Sequence, residues 1–144
     1  DRRLITNILM SFNLSNIHSC NHANAISTIK QHPPEILVCD WSYPSKRGLE
    51  LTRFIRHPDS PINSAIAIII TSSDATVDQI NEARGAGIDQ YLIKPLSPLI
   101  LYQTIVRCIE NSRQLIRIDD YFGPDRRPRK PIEEPPRQEE RRQN

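Results

Sequence analysis

An α/β fold with a doubly wound parallel sheet is predicted by three features of the 144-residue chain. Short β-branched runs alternate with segments of helical periodicity, and the intervening helices are long enough for right-handed crossovers that cover both faces of a sheet. The run Ala65-Ile66-Ala67-Ile68-Ile69-Ile70-Thr71 is apolar without alternation, as a strand buried on both faces must be. Three such runs end in polar residues, Asp40, Thr71 and Lys94, and in an open parallel sheet the crevice beyond the strands' carboxyl ends is where reacting groups gather.

The elements follow in order. Leu4, Ile5, Ile8, Leu9 and Phe12 fall on one helical stripe, which predicts a helix over residues 2–13 with Asn13 as its stop. Asn16 to Cys20 predicts a short strand, and Ala23, Ala25, Ile26 and Ile29 a helix broken by His32-Pro33-Pro34. Residues 35–39 predict a buried strand ending at Asp40. A loop then leads to a helix over 48–55, ended by His57-Pro58. After the central strand at 65–71, Ser73 or Asp74 is expected to cap a helix reaching Arg84, with Gly85 and Gly87 closing it. Residues 88–93 predict the next strand, terminated by Lys94-Pro95. Ser97 is expected to cap a last helix with Leu101, Ile105, Cys108 and Ile109 on one face, running to Leu115 or Ile116. This gives four strands in a chain that opens on a helix, so a first strand is expected to be missing ahead of Asp1.

Composition bounds the function. Nineteen basic and seventeen acidic residues nearly balance, which gives no global attraction to nucleic acid or membrane. Cys20, Cys39 and Cys108 are too few and scattered for a disulfide framework, which fits a reducing cytoplasm. No run approaches the length of a membrane span, and the start has no signal-peptide plan. Residues 1–116 therefore predict one domain. Residues 117–144 are expected to be a disordered tail, since from Asp119 the chain is rich in Pro, Arg and Glu with only Tyr121, Phe122 and Ile132 to bury. Seven basic and seven acidic residues balance from Asp119 onward, so Arg126-Arg127-Pro128-Arg129-Lys130 reads as solvated linker and not as a nucleic-acid site.

Asp40, Thr71 and Lys94 end three successive predicted strands and can converge on one sheet edge. A carboxylate can act there as nucleophile toward a phosphoryl group, with a hydroxyl and an ammonium holding the phosphoryl oxygens, because this transfer depends on positioning and charge neutralisation. His18, Cys20 and His22 alternate, as zinc ligands on one strand face would, but a fourth ligand is lacking.

Asp40-Trp41-Ser42-Tyr43-Pro44, Gly48-Leu49-Glu50-Leu51, Thr71-Ser72, Ala86-Gly87 and Tyr91-Leu92-Ile93-Lys94-Pro95, with 31 residues from Asp40 to Thr71 and 23 more to Lys94, resemble the receiver domain of bacterial two-component response regulators over roughly residues 1–116. The resemblance implies a flavodoxin-like receiver fold without its first strand. It also implies a phosphorylation-controlled signalling switch in which Asp40 accepts a phosphoryl group from a histidine kinase or phosphotransfer protein, with no catalytic output of its own. Thr71 and Lys94 are then the phosphoryl-oxygen ligands, Tyr91 is the switch aromatic, and the bond before Pro95 is cis. The implied Mg²⁺ ligands are the Asp40 carboxylate, the Ser42 backbone carbonyl and an upstream acidic pair that this chain does not contain, so the chain is expected to bind Mg²⁺ poorly.

The implied output partner binds the family's fourth helix, fifth strand and fifth helix, here the helix ending near Arg84, the strand 88–93 and the last helix. Tyr121-Phe122-Gly123-Pro124-Asp125-Arg126-Arg127 resembles the ending of some single-domain receivers, which implies a stand-alone regulator that does not itself bind DNA. Two alternatives accompany this reading. One is a degenerate receiver that acts as a phosphorylation-independent interaction module. The other is an aspartate-nucleophile phosphatase, whose second acid two residues after the nucleophile is replaced here by Ser42.

Overall fold

The computed structural model describes residues 2–14, 16–41, 45–63, 65–110, 115–118 and 121–124. Helix α1 (Arg2–Ser11) and, after a 3₁₀ turn (His22–Asn24), helix α2 (Ala25–Gln31) precede a regular alternation. Strand β1 (Ile36–Asp40) leads to α3 (Arg47–Arg56), β2 (Ala67–Ser72) to α4 (Val77–Ala86), and β3 (Gln90–Ile93) to α5 (Pro98–Glu110). A hairpin of β4 (Leu115–Ile118) and β5 (Tyr121–Pro124) follows.

The three long-range strands form a parallel sheet in the order β1-β2-β3, with Asp40 opposite Thr71 and Thr71 opposite Leu92. Central β2 divides the core as a doubly wound sheet must. Ile68 and Ile70 pack with Ile29, Leu49, Leu51, Ile55 and Ala83 on one face. Ile69 packs with Ile8, Leu92, Leu101 and Ile105 on the other. The helical stripes of α1 and α5 cover this second face, but Leu4 and Ile109 at their outer ends are exposed.

Several sequence expectations are corrected. Residues 16–20 form no strand: among the described residues the sheet ends at β1 on that side, and a strand without a neighbour has no partner for its backbone groups. Instead the His18 ring stacks on that of His32 with centroids 3.9 Å apart, and His18 bonds Asn16 Oδ1 at 3.0 Å. Helix α4 is capped by Thr76, whose side chain accepts from the Gln79 amide at 3.2 Å, and not by Ser73 or Asp74. Gly85 lies inside that helix. Gly87 alone closes it, at φ 103°, where a side chain would be strained. Ser97 does cap α5, accepting from the Ile100 amide at 3.3 Å.

The predicted continuation of the last helix to Leu115 or Ile116 is replaced by β4, and the domain boundary at 116/117 falls within that strand. Helix α5 is described as far as Glu110, and 111–114 lie outside the described residues. The start of the expected disordered tail is ordered: Leu115 pairs with Pro124 and Ile118 with Tyr121 in antiparallel register. Tertiary contact overrides composition here. Pro124 is fully buried, the Tyr121 hydroxyl donates to the Pro124 carbonyl at 2.8 Å, and Gly123 abuts the Cα of Gly87. Residues 125–144 lie outside the described residues.

At the pole opposite Asp40, Arg56 is 3 % exposed. Its Nε donates to the Gly87 carbonyl at 2.9 Å and its Nη2 meets Asp89 Oδ2 at 3.0 Å. The same carboxylate oxygen accepts the Ile68 amide at 2.7 Å. Arg56 thus ties α3, the end of α4 and the central strand together. Arg56→Met removes the guanidinium from beside the partly buried Asp89 carboxylate, and urea unfolding is expected to show a loss of about 3 kcal/mol, the low end for breaking a buried pair.

Candidate functional site

The parallel register explains how three distant residues meet. Trp41 N–H donates to the Thr71 carbonyl and Lys94 N–H to the Ser72 carbonyl, each at 2.8 Å. These bonds extend both ladders one residue past the strands and fix the strand ends side by side. Lys94 Nζ lies 2.9 Å from Asp40 Oδ1, and the Thr71 hydroxyl donates to the same oxygen at 3.3 Å. Thr71 is fully buried, whereas the Asp40 side chain is 50 % exposed and that of Lys94 18 %. The carboxylate is open to an approaching reactant while its two partners are held from beneath. The Lys94–Pro95 bond is cis.

Tyr91 does not join this cluster directly. Its hydroxyl donates to the Asp74 carbonyl at 2.6 Å, and its ring stands edge-on to Trp41 with centroids 6.3 Å apart. Trp41 is 1 % exposed, and its indole Nε1 has no hydrogen-bond partner among the described residues. A continuous stack therefore runs from the residue after Asp40 to the loop before α4. The Asp74 amide is held in turn by Ser72 Oγ at 3.2 Å.

Sequence reading gave no separate role to Gly48 or Trp41, and took Lys46 only as part of a basic rim. A Cβ at Gly48 would lie 2.2 Å from the Asp40 carbonyl oxygen, so the start of α3 approaches the strand end closely. The only signal for this in the sequence is a glycine in the first turn of a helix. Lys46 precedes α3 at φ 51° and reaches Glu82 of α4 at 3.2 Å, a carboxylate that Arg53 also approaches at 3.7 Å. This joins the loop after Asp40 to α4.

Ser42, whose backbone carbonyl is the second expected metal ligand, lies outside the described residues. Among the described residues no group of three His, Cys, Asp or Glu side chains is placed to hold a metal ion. Asp40 brings one carboxylate, and Lys94 already contacts its Oδ1. Mg²⁺ takes an octahedral shell of hard oxygens, of which the described residues bring the Asp40 carboxylate. His18, Cys20 and His22 form no metal group either.

Cys39, beside Asp40, is pushed up to about 12, first by burial and then by the Asp40 charge. Cys108 is pushed up to about 11, chiefly by burial. The reactive species is the thiolate, so iodoacetamide at pH 8 is expected to modify Cys39 about a thousandfold more slowly than an ordinary thiol; peptide mass mapping over time checks this.

A family model for the response regulator receiver domain matches residues 1–106. The chain is 28 % identical over 110 residues to the chemotaxis protein CheY of Pseudomonas aeruginosa, covering 76 % of this chain and 87 % of that one. It is 27 % identical over 110 residues to the chemotaxis protein CheY-3 of Vibrio cholerae, covering 76 % and 83 %. Among solved structures, a signal receiver domain from Bermanella marisrubri superimposes with a TM-score of 0.61 at 22 % identity, covering 74 % of this chain and 87 % of that one. The receiver domain of a sensor histidine kinase from Pseudomonas aeruginosa, which carries magnesium in its active-site cleft, gives 0.62 at 21 % identity, covering 75 % and 87 %. No helix among the described residues is long and apolar enough to cross a membrane. With its doubly wound sheet and its strand-end Asp, Thr and Lys, the chain belongs to the response regulator receiver domain family, the phosphoacceptor switches of two-component signalling.

Proposed function

We propose that Asp40 is the phosphoacceptor of this receiver and that a histidine kinase or phosphotransfer protein is the donor. The observation that carries the reading is the meeting of Thr71 and Lys94 on one oxygen of a half-exposed carboxylate. An Asp40 oxygen attacks the phosphorus of a phosphoimidazole, and the P–O bond forms as the P–N bond breaks. The electron pair leaves on the imidazole nitrogen, which takes a proton from solvent. Lys94 neutralises the transferred group and Thr71 donates a hydrogen bond to it, which is the positioning and charge compensation such a transfer requires.

No step is assigned to the metal; the charge compensation that the described residues supply comes from Lys94. Tyr91 is the switch aromatic in this reading. As Thr71 turns toward the phosphoryl group, the stack of Trp41 and Tyr91 and the bond to Asp74 relay the change to α4. The output face is that of α4, β3 and α5, where Ile93, Leu99, Ile100 and Tyr102 are exposed apolar side chains suited to a protein partner. The protein works in the cytoplasm as a signalling switch with no catalysis of its own and does not itself bind DNA.

The test is transfer from a ³²P-labelled histidine kinase, followed by hydroxylamine, which cleaves acyl phosphates. Label that appears on the chain and is released by hydroxylamine is expected. An unlabelled wild-type chain would instead support an interaction module that needs no phosphoryl group.

A further inference from the structure

The hairpin β4–β5 docks where α4 ends, and the contact is built with little tolerance. Gly87 is confined to glycine by its φ of 103°. A Cβ on Gly123 would lie 2.9 Å from the Gly87 Cα and 2.8 Å from the Tyr121 hydroxyl. Pro124 is buried in the same contact region, and the Gly87 carbonyl accepts from Arg56. Helix α4 is therefore fastened at both ends: the Asp74 loop before it is held by the Tyr91 hydroxyl, and the glycine after it is held by the hairpin. Between them Glu82 meets Lys46 and Arg53 of the preceding helix segment. Along its length α4 buries only the small side chains Ala83 and Ala86 against the core, so the ten-residue helix can shift as one body when an end is released.

We propose that the 115–124 hairpin is a regulatory strap whose docking on Gly87 is linked through α4 to the Tyr91–Asp74 bond. Drawing Tyr91 away from Asp74 loosens the hairpin, and undocking the hairpin loosens the Asp74 loop, since such a linkage is reciprocal. The chain thereby reports the state of its Asp40 edge at the opposite pole. Only the trigger rests on the phosphoacceptor reading; the linkage itself does not.

Hydrogen exchange of the full chain, read by mass spectrometry, tests it. Tyr91→Phe removes the hydroxyl and is expected to speed exchange within 115–124 by about two- to fivefold, the range set by losing one hydrogen bond. Gly123→Ala is expected to speed exchange across 74–80 as well as in the hairpin. Tyr121→Phe, which adds no atoms, is expected to do the same more weakly and decides the matter if Gly123→Ala does not fold. Changes confined to each variant's own segment would overturn the linkage. In a separate arm the wild type is treated with acetyl phosphate. Faster hairpin exchange in the labelled protein supports the trigger, and unchanged exchange in labelled protein overturns it. Failure of Asp40 to take label counts against the phosphoacceptor reading alone, because the variant arms need no phosphoryl group.

Discussion

The Asp40→Asn variant is expected to take up no phosphoryl group from a phosphohistidine donor, a complete loss measured against efficient labelling of the wild type. Asparagine keeps the size of the side chain and still accepts a hydrogen bond from Thr71. Its amide carries no anionic oxygen, however, and is a poor nucleophile toward phosphorus. The fold is expected to survive, because the Asp40 side chain is half exposed and an ion pair at that exposure contributes at most about 1 kcal/mol. Equal unfolding midpoints with no labelling would therefore place the defect in chemistry. Lys94→Met is the companion variant. It leaves the nucleophile in place but removes the cation 2.9 Å away, so labelling slows by about a hundredfold or more, in line with losing one preorganised electrostatic partner. A labelled Asp40→Asn protein would show that another residue accepts the group.

The parts of this site that were legible in the sequence share one property: they sit at fixed places relative to strands with a strong signal. Runs such as Glu35 to Cys39 and Ala65 to Thr71 are apolar and β-branched, so their ends, and hence Asp40 and Thr71, are readable to within a residue. What stayed illegible depends on partners far away in sequence. Residues 16–20 have the composition of a strand but no neighbour to pair with among the described residues. Residues 115–118 read as the end of a helix because Leu115 and Ile116 continue the α5 pattern, yet they pair with Tyr121 to Pro124, a run whose proline and glycine argue for loop or disorder. The close approach of Gly123 to Gly87 and the burial of Pro124 hold that hairpin in place, and no local pattern encodes them.

The same holds for the substructure that couples the site to α4. Thr76 serves as the cap, while the Asp74 backbone carbonyl accepts from the Tyr91 hydroxyl and its amide donates to Ser72 Oγ. Local propensity ranks Ser, Asp and Thr caps closely, so the start of the helix could not be read from residue type alone.

Gly48 gives an expected effect on stability as large as that of Arg56→Met, and its sign runs against helix propensity. The residue lies in the first turn of α3, where replacing glycine by alanine ordinarily stabilises by up to about 1 kcal/mol. Here the new methyl would stand 2.2 Å from the Asp40 carbonyl oxygen and 3.0 Å from its carbonyl carbon. These are backbone atoms of a strand held on its inner side by β2, so neither they nor the helix can yield without breaking packing around Leu49 and Ile70. Gly48→Ala is therefore expected to lose about 3 kcal/mol, the upper part of the range for overpacking a core. Urea unfolding followed by the fluorescence of Trp41, the chain's one tryptophan, measures it. Gly85→Ala is the matched control, since that helical glycine has nothing within 4 Å of an added Cβ; it is expected to gain about 0.5–1 kcal/mol. Because the clash falls on the backbone of Asp40 itself, the folded fraction of Gly48→Ala is also expected to label more slowly than wild type, whereas Gly85→Ala labels normally. Equal stabilisation by both substitutions would mean that α3 does not press on the strand end, and that the position of Asp40 is set by β2 and β3 alone.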